Sequence, residues 1–238
     1  MITKNKIKYI RGLSLKKNRI RENCFVVEGE KMIFELINSP YRILELYATK
    51  DWISENYYVN AYKVTQLELD RMSNMKSANK VLALVEIQNQ DNISKNGIKL
   101  VLDDITDPGN LGAIIRSCDW FGVTQIICSK NTVDVYNPKV VQATMGSLFR
   151  VNVLYVNLED YLSKVVGHIY GASIVGKDIK RIKLNEEAHL IIGSESHGIS
   201  SKLTKFIDTN ITIKSINSKA ESLNVSAATS ILLYEFCN

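Results

Sequence analysis

From residue 98 onward the chain alternates short apolar runs with amphipathic stretches, and this alternation constrains the fold more than any other feature. "IKLVLDDI" (98–105) is a nearly continuous apolar run that halts at Asp103 and Asp104, as a strand buried on both faces would. After it, Leu111, Ile114, Ile115, Cys118 and Phe121 recur with helical spacing. "VTQIICS" (123–129) predicts the next strand, and "NPKVVQATMGSLF" (137–149) a helix with Pro138 at its first position. "RVNVLYV" (150–156), "HIYGASIV" (168–175), "AHLIIGSE" (188–195) and "ITIKSI" (211–216) predict four more strands, and 221–237 a closing helix. Strands that alternate with helices imply a parallel sheet with helices on both faces.

The first 90 residues read as a smaller α/β domain. Strands are expected at 24–29, 43–49 and 80–87, and helices at 30–37 and 66–73. Between the two parts, "NQDNISKNG" (89–97) is polar and aperiodic. The expected organisation is therefore a domain over 1–90, a linker over 91–97 and a second domain over 98–238. Hydrophobic residues make up 45% of the chain, enough for two cores, and no run approaches the length of an apolar membrane span. No apolar stretch follows the basic N-terminus as a secretory signal would require. Cys24, Cys118, Cys128 and Cys237 are scattered without a CxxC pair, which fits reduced thiols in the cytoplasm better than disulfides or zinc.

Charge is concentrated at the start. Residues 1–24 hold eight Lys or Arg against Glu22 alone, a net +7 in a chain whose total is +5, so the remainder nets −2. A basic segment on a near-neutral body points to phosphate partners, and so to nucleic acid.

Three stretches carry chemistry. In "TDPGNLGAIIRS" (106–117) a Pro-Gly turn leads from strand to helix, and Asn110 is the expected N-cap. Gly112 and Ala113 flank Arg116 at helical spacing and leave it a slot. In "LIIGSESHGIS" (190–200) an apolar strand ends in Gly193, where backbone could approach a ligand closely, followed by Glu195 and Gly198. In "KAESLNVSAATSILLYE" (219–235) a helix dense in Ser, Ala and Thr suits close approach of another helix or a bound molecule. Ser222-Leu223-Asn224 opens it with polar side chains and free N–H groups. His197 reads as a solvated loop residue, and His168 and His189 as structural. No His cluster supports a triad or metal site, and no phosphate-loop signature supports a nucleotide-binding metabolic enzyme.

Together and in this order, these stretches resemble the motifs of the SpoU-type branch of the SPOUT (α/β-knot) RNA 2′-O-ribose methyltransferases. Asp107-Pro108-Gly109-Asn110-Leu111-Gly112-Ala113 through Arg116 and Ser117 resembles the first motif. Gly193, Glu195 and Gly198 resemble the second, and Glu221 through Ser226 the third. "YNPKVVQATMGSLFRV" (136–151) is also similar, and the likeness runs over about 98–237. "FVVEGEKMI" in the first part resembles a ribosomal-protein-like RNA-binding domain.

The resemblance implies a trefoil-knotted catalytic domain, S-adenosylmethionine as cofactor, a homodimer, no metal, and an RNA substrate. Ribosomal RNA is favoured because of the extra domain, with transfer RNA the alternative within the class. It implies catalytic roles for Asn110, Arg116, Glu195, Ser222 and Asn224. Cofactor contacts are implied for Gly193, Ile213, Ser222 and Leu223, and for Thr144 and Gly146. Segment 213–218 departs from the family pattern by lacking its Ile-Pro and glycine, and Gln142 stands where a basic residue is common. A rival of another class is a non-catalytic RNA-binding protein that keeps the fold; retention of Asn110, Arg116, Glu195 and Asn224 argues against it.

Overall fold

The computed structural model describes residues 2–75, 77–88, 97–216 and 219–237. In chain order the first elements are α1 (Lys4–Gly12), α2 (Lys16–Glu22), β1 (Cys24–Glu28), α3 (Glu30–Ile37), β2 (Ile43–Ala48), α4 (Lys50–Glu55), β3 (Tyr62–Lys63), α5 (Gln66–Met72) and β4 (Val81–Glu86). Then come β5 (Lys99–Leu102), α6 (Pro108–Trp120), β6 (Gln125–Ser129), α7 (Pro138–Thr144), β7 (Asn152–Val156) and α8 (Leu158–Leu162). The chain closes with β8 (His168–Asp178), β9 (Ala188–Ile192), α9 (Ser201–Thr204), β10 (Thr209–Thr212) and α10 (Val225–Cys237).

These elements form two compact units. The first holds the described residues up to 88 together with Asp134–Phe149, so α7 belongs to it. Its sheet runs β1-β4-β2-β3, with β4 antiparallel to β1 and β2, and β3 parallel to β2. α3 forms where expected because Met32, Ile33 and Leu36 share a buried face. α5 starts at a full capping box, in which Thr65 and Glu68 satisfy each other's backbone N–H. Segment 134–149 joins this unit through aromatic packing: Tyr136 lies 4.5 Å from Phe25 and Phe149 lies 5.2 Å from Tyr41, centroid to centroid.

The basic N-terminal segment folds as α1 and α2, and part of its charge is structural. Arg19 is buried; it donates to the carbonyls of Leu13 and Ser14 at 2.8 Å and pairs with Asp134. Lys6 bonds Glu45 at 2.7 Å and Arg21 bonds Glu22 at 2.7 Å. A buried arginine of this kind persists because its donors are matched, not because it faces phosphate. Lys4, Lys8, Arg11 and Lys17 remain exposed. The linker expected at 91–97 lies outside the described residues except for Gly97.

The second unit is built on a six-stranded parallel sheet in the order β10-β8-β9-β5-β6-β7. α8 and α9 cover one face, where Leu158, Leu162 and Leu203 pack on Val101, Ile127, Ile169 and Ile191. Leu100, Leu102, Ile126 and Leu190 point the other way and are also fully buried, so both faces are covered. α6 and α10 pack side by side, close enough for the Ser117 and Ser230 hydroxyls to bond at 2.7 Å. The small residues of α10 serve that approach.

Several boundaries move. The last strand occupies Thr209–Thr212 instead of 211–216, because it follows β8 across a register shift between Asn210 and Ile211. The helix expected over 137–149 ends at Thr144, where Met145 takes a left-handed φ of 51°. α10 begins at Val225, four residues later than its sequence pattern, and α6 is capped by Asp107, not Asn110.

His189 is buried in β9. Its Nε2 bonds the Tyr161 hydroxyl at 2.8 Å. Burial, with Lys99 nearby, lowers its pKa to about 4. An unfolded chain titrates this imidazole near 6.5, so between those values the unfolded state holds the extra proton and stability falls as pH falls. The expected loss from this residue between pH 7 and pH 5 is about 2 kcal/mol. Urea unfolding at both pH values, in wild type and His189→Gln, checks it: the variant should lose less.

Candidate active site

Sheet order fixes where a site can form. The chain runs from β5 outward through β6 to β7, then returns so that β9 lies on the other side of β5. The order reverses at β5, and in parallel sheets such a reversal opens a crevice at the carboxyl ends of the two strands. Here the crevice lies between the segments leaving β5 and β9. The first leads through Asp107 to Asn110; the second holds Gly193 and Glu195.

Side chains from both segments meet there, joined by the start of α10. Asn110 Nδ2 donates to Glu195 Oε1 at 2.6 Å. Asn224 Nδ2 donates to Asn110 Oδ1 at 3.0 Å and to Glu195 Oε1 at 3.2 Å. Each asparagine is also fixed by a local cap. Asp107 Oδ1 accepts the Asn110 N–H at 2.8 Å, and Asn224 Oδ1 caps α10 by accepting the N–H groups of Ser226 at 3.0 Å and Ala227 at 3.4 Å. Local capping thus orients the two asparagines that hold Glu195, although the three lie far apart in sequence. The cluster is solvent-accessible, as a group meant to meet a large substrate must be.

Beside it is a cavity of about 1090 Å³. Gly193, Glu195, Ile213, Ser222 and Leu223 all line it, with apolar walls from Ile192, Ile211 and Leu232. Residues 213–216 have left the sheet, so their backbone groups lie outside the ladder. The fit to S-adenosylmethionine is good: apolar walls suit an adenine, and strand-end backbone and hydroxyls suit its polar edge and ribose. This volume would hold a ligand of that size.

Gly193 has a second part besides lining the cavity. A Cβ there would lie 2.1 Å from the Gly198 carbonyl carbon and 2.2 Å from the Ile199 nitrogen. The backbone that needs the space is the chain's own turn, closed by the two Ser194–Gly198 hydrogen bonds of 3.0 and 2.9 Å. Thr144 and Gly146 do not line the cavity. Thr144 is buried with its hydroxyl on the Val141 carbonyl at 2.7 Å, and Gly146 packs against Glu35; both belong to the first unit. Arg116 lies on α6, exposed, and its side chain forms no hydrogen bond or ion pair with any described residue.

Sequence reasoning missed one part of the wall. β8 bulges from its ladder with β10, and Ala172, Ser173, Ile174 and Val175 of the bulge line the cavity. The available signal was Gly176, which sits so close to the Asn210 carbonyl that a Cβ would meet it at 2.7 Å.

One of the two α/β units thus carries a reversal crevice with a polar cluster beside a large, mostly apolar cavity, the arrangement of a ligand-binding site. Comparison with known proteins makes this specific. Residues 97–234 match the SpoU rRNA Methylase family, and residues 4–83 match the MRM3-like substrate binding domain. The chain belongs to the SpoU rRNA methylase family and is an S-adenosylmethionine-dependent RNA methyltransferase. A Bacillus subtilis protein named 23S rRNA (guanosine(2553)-2′-O)-methyltransferase RlmP is 27% identical over 96% of this chain and 94% of its own length. The structure of a TrmH-family RNA methyltransferase from Porphyromonas gingivalis superposes with a TM-score of 0.91 at 33% identity, covering 99% of this chain and 98% of that one. An AdoMet-bound rRNA methyltransferase from Sinorhizobium meliloti gives 0.86 at 25% identity, covering 99% and 95%.

Proposed function

We propose that the chain methylates a ribose 2′-hydroxyl of 23S ribosomal RNA, with Asn110, Arg116, Glu195, Ser222 and Asn224 as its catalytic set. The observation that carries the assignment of roles is the Asn110–Glu195–Asn224 cluster at the mouth of the cavity. When bound there, S-adenosylmethionine supplies an electrophilic methyl group on a sulfonium. Gly193, Ile213, Ser222 and Leu223 hold it. The residues must then present the sugar oxygen in line and manage its charge. Glu195 Oε1 is already occupied by the two asparagines, while Oε2 accepts from a ribose hydroxyl and fixes the sugar. Arg116 holds the neighbouring phosphate and stabilises the negative charge that builds on the sugar oxygen as its proton passes to water at this solvent-open edge. The role proposed for Arg116 is electrostatic. Positioning of this kind can contribute roughly 7–11 kcal/mol.

The substrate assignment is supported by the name of the B. subtilis relative, which aligns along almost the entire chain. The first unit binds the RNA. The protein works as a homodimer in the cytoplasm, where ribosomes are assembled. Exposed Trp120 on α6, with Ile231 and Tyr234 on α10, supplies the apolar face a second copy would cover. A knotted C-terminal path belongs to the same reading, and it is compatible with the packing of α10 on α6. Mapping ribose methylation in RNA from cells with and without the gene tests the proposal. Loss of one 23S site is expected. Loss of a transfer RNA site instead would move the substrate, and no lost site combined with no binding of S-adenosylmethionine would favour a non-catalytic RNA-binding protein.

A further inference from the structure

The mechanism leaves unused a second cavity, of about 310 Å³, at one end of the first unit's sheet. Lys50, Lys63 and Lys80 line it against a single carboxylate, Asp51, with Thr49 and Thr65 between them. Three neighbouring strands deliver the three ammonium groups to this edge. Lys50 follows β2, Lys63 ends the outer strand β3, and Lys80 precedes β4. The Thr49 N–H donates to the Lys80 carbonyl at 3.0 Å and fixes two of them together. The threonine hydroxyls are already engaged as helix caps, so the chemistry of the cavity is that of its lysines. Lys80 also pairs loosely with Glu30, at 3.9 Å. With Asp51 in the cavity and Glu30 on Lys80, the three cations leave a net charge of +1, which suits a phosphate anion.

Exposed aromatic side chains lie on the chain segments that adjoin these lysines in sequence. Tyr57 is 87% and Tyr58 64% exposed on the connection that leads into β3, and Tyr62, 63% exposed, precedes Lys63 in that strand. Clustered cations and exposed rings on one small unit are the groups that recognise unstacked RNA: phosphate on the charge, bases on the rings. By contrast, the N-terminal helices spend Lys6, Arg19 and Arg21 on internal partners. We propose that the Lys50–Lys63–Lys80 cavity seats a backbone phosphate of a single-stranded segment of the substrate RNA, with adjoining bases on Tyr57, Tyr58 and Tyr62. This rests on the reading of the chain as an RNA methyltransferase and adds where the first unit grips its substrate.

Fluorescence anisotropy with a labelled ten-nucleotide single-stranded oligoribonucleotide tests it on the full chain. Lys50→Glu/Lys63→Glu should weaken binding at least tenfold. It should also lower the salt dependence, d log K/d log [salt], by about 0.7, the value for one lost phosphate contact on a single strand. Tyr57→Ser/Tyr58→Ser should weaken binding with the salt slope unchanged. Lys50→Gln/Lys63→Gln, which adds no repulsion, should act in the same direction as the reversal. Calorimetric affinity for S-adenosylmethionine should be unchanged in all of them, which reports that the second unit is intact. In turnover, KM for RNA should rise while kcat at saturating RNA holds. Three results would overturn the inference: unchanged affinity and slope in the lysine variants, a larger loss from Lys4→Glu/Lys8→Glu on α1 than from the cavity pair, or inorganic phosphate or AMP binding that does not compete with RNA. Wild type that neither binds S-adenosylmethionine nor methylates RNA would count against the enzyme assignment instead.

Discussion

Arg116→Ala is expected to bind S-adenosylmethionine with unchanged affinity and to lose methyl transfer by about 10²–10³-fold, the usual effect of deleting one group aimed at developing charge. The expectation follows from what surrounds the residue. Arg116 is exposed on α6, and its side chain has no hydrogen-bond or ion-pair partner among the described residues. A structural arginine looks different: Arg19 is buried and held by two carbonyls and a carboxylate. Removing Arg116 therefore breaks no internal contact, and stability should be nearly unchanged. Gly112 and Ala113, one turn earlier on the same helix, add no bulk beside it. Arg116→Lys should recover only part of the rate, because an ammonium cannot grip a phosphate through two parallel donors. Single-turnover transfer from labelled cofactor, alongside calorimetry, measures both quantities. Wild-type turnover in Arg116→Ala would remove the residue from the mechanism.

Gly193→Ala is expected to damage the protein more deeply, through a contact that involves no substrate. The added methyl carbon would lie 2.1 Å from the Gly198 carbonyl carbon and 2.2 Å from its oxygen. No real Cβ sits so close to backbone, and backbone cannot swing aside as a long side chain can. The turn from Ser194 to Gly198 would have to open, breaking its two hydrogen bonds. Glu195 sits inside that turn, so its bonds to Asn110 and Asn224 would go with it. The expected cost is on the order of 4 kcal/mol or more, in the exceptional range for a single substitution. Thermal unfolding should show a large fall in Tm, and any folded protein should bind S-adenosylmethionine poorly. Gly122→Ala makes a useful contrast. It also carries a positive φ, 73°, but nothing lies within 4 Å of its added carbon, so only the milder backbone strain should appear.

Local patterns were readable from sequence where local forces decide them. β5 is a continuous apolar run because both its faces are buried, and α3 shows helical spacing because one face is. The Asn110, Glu195 and Asn224 stretches were also visible, since each follows a strand or opens a helix. What sequence concealed is what distant partners decide. β10 lies at 209–212 because β8 bulges opposite it, which no periodicity within 211–216 could reveal. α10 starts at Val225 because the Asn224 side chain takes the cap, while the apolar pattern runs on regardless. Segment 134–149 looks like any other part of the second half, yet Tyr136 and Phe149 pack on Phe25 and Tyr41 in the first unit. Arg19 counted as surface charge until its carboxylate partner, Asp134, 115 positions away, came into view.

The most direct test of the central claim is a crystal structure of the chain with S-adenosylmethionine bound. The account predicts the adenosine within the cavity between Gly193, Ile213 and Leu223, and the methyl group opening toward Asn110, Glu195 and Asn224. Density for the cofactor at another place on the chain, or a methyl group turned away from that cluster, would contradict it.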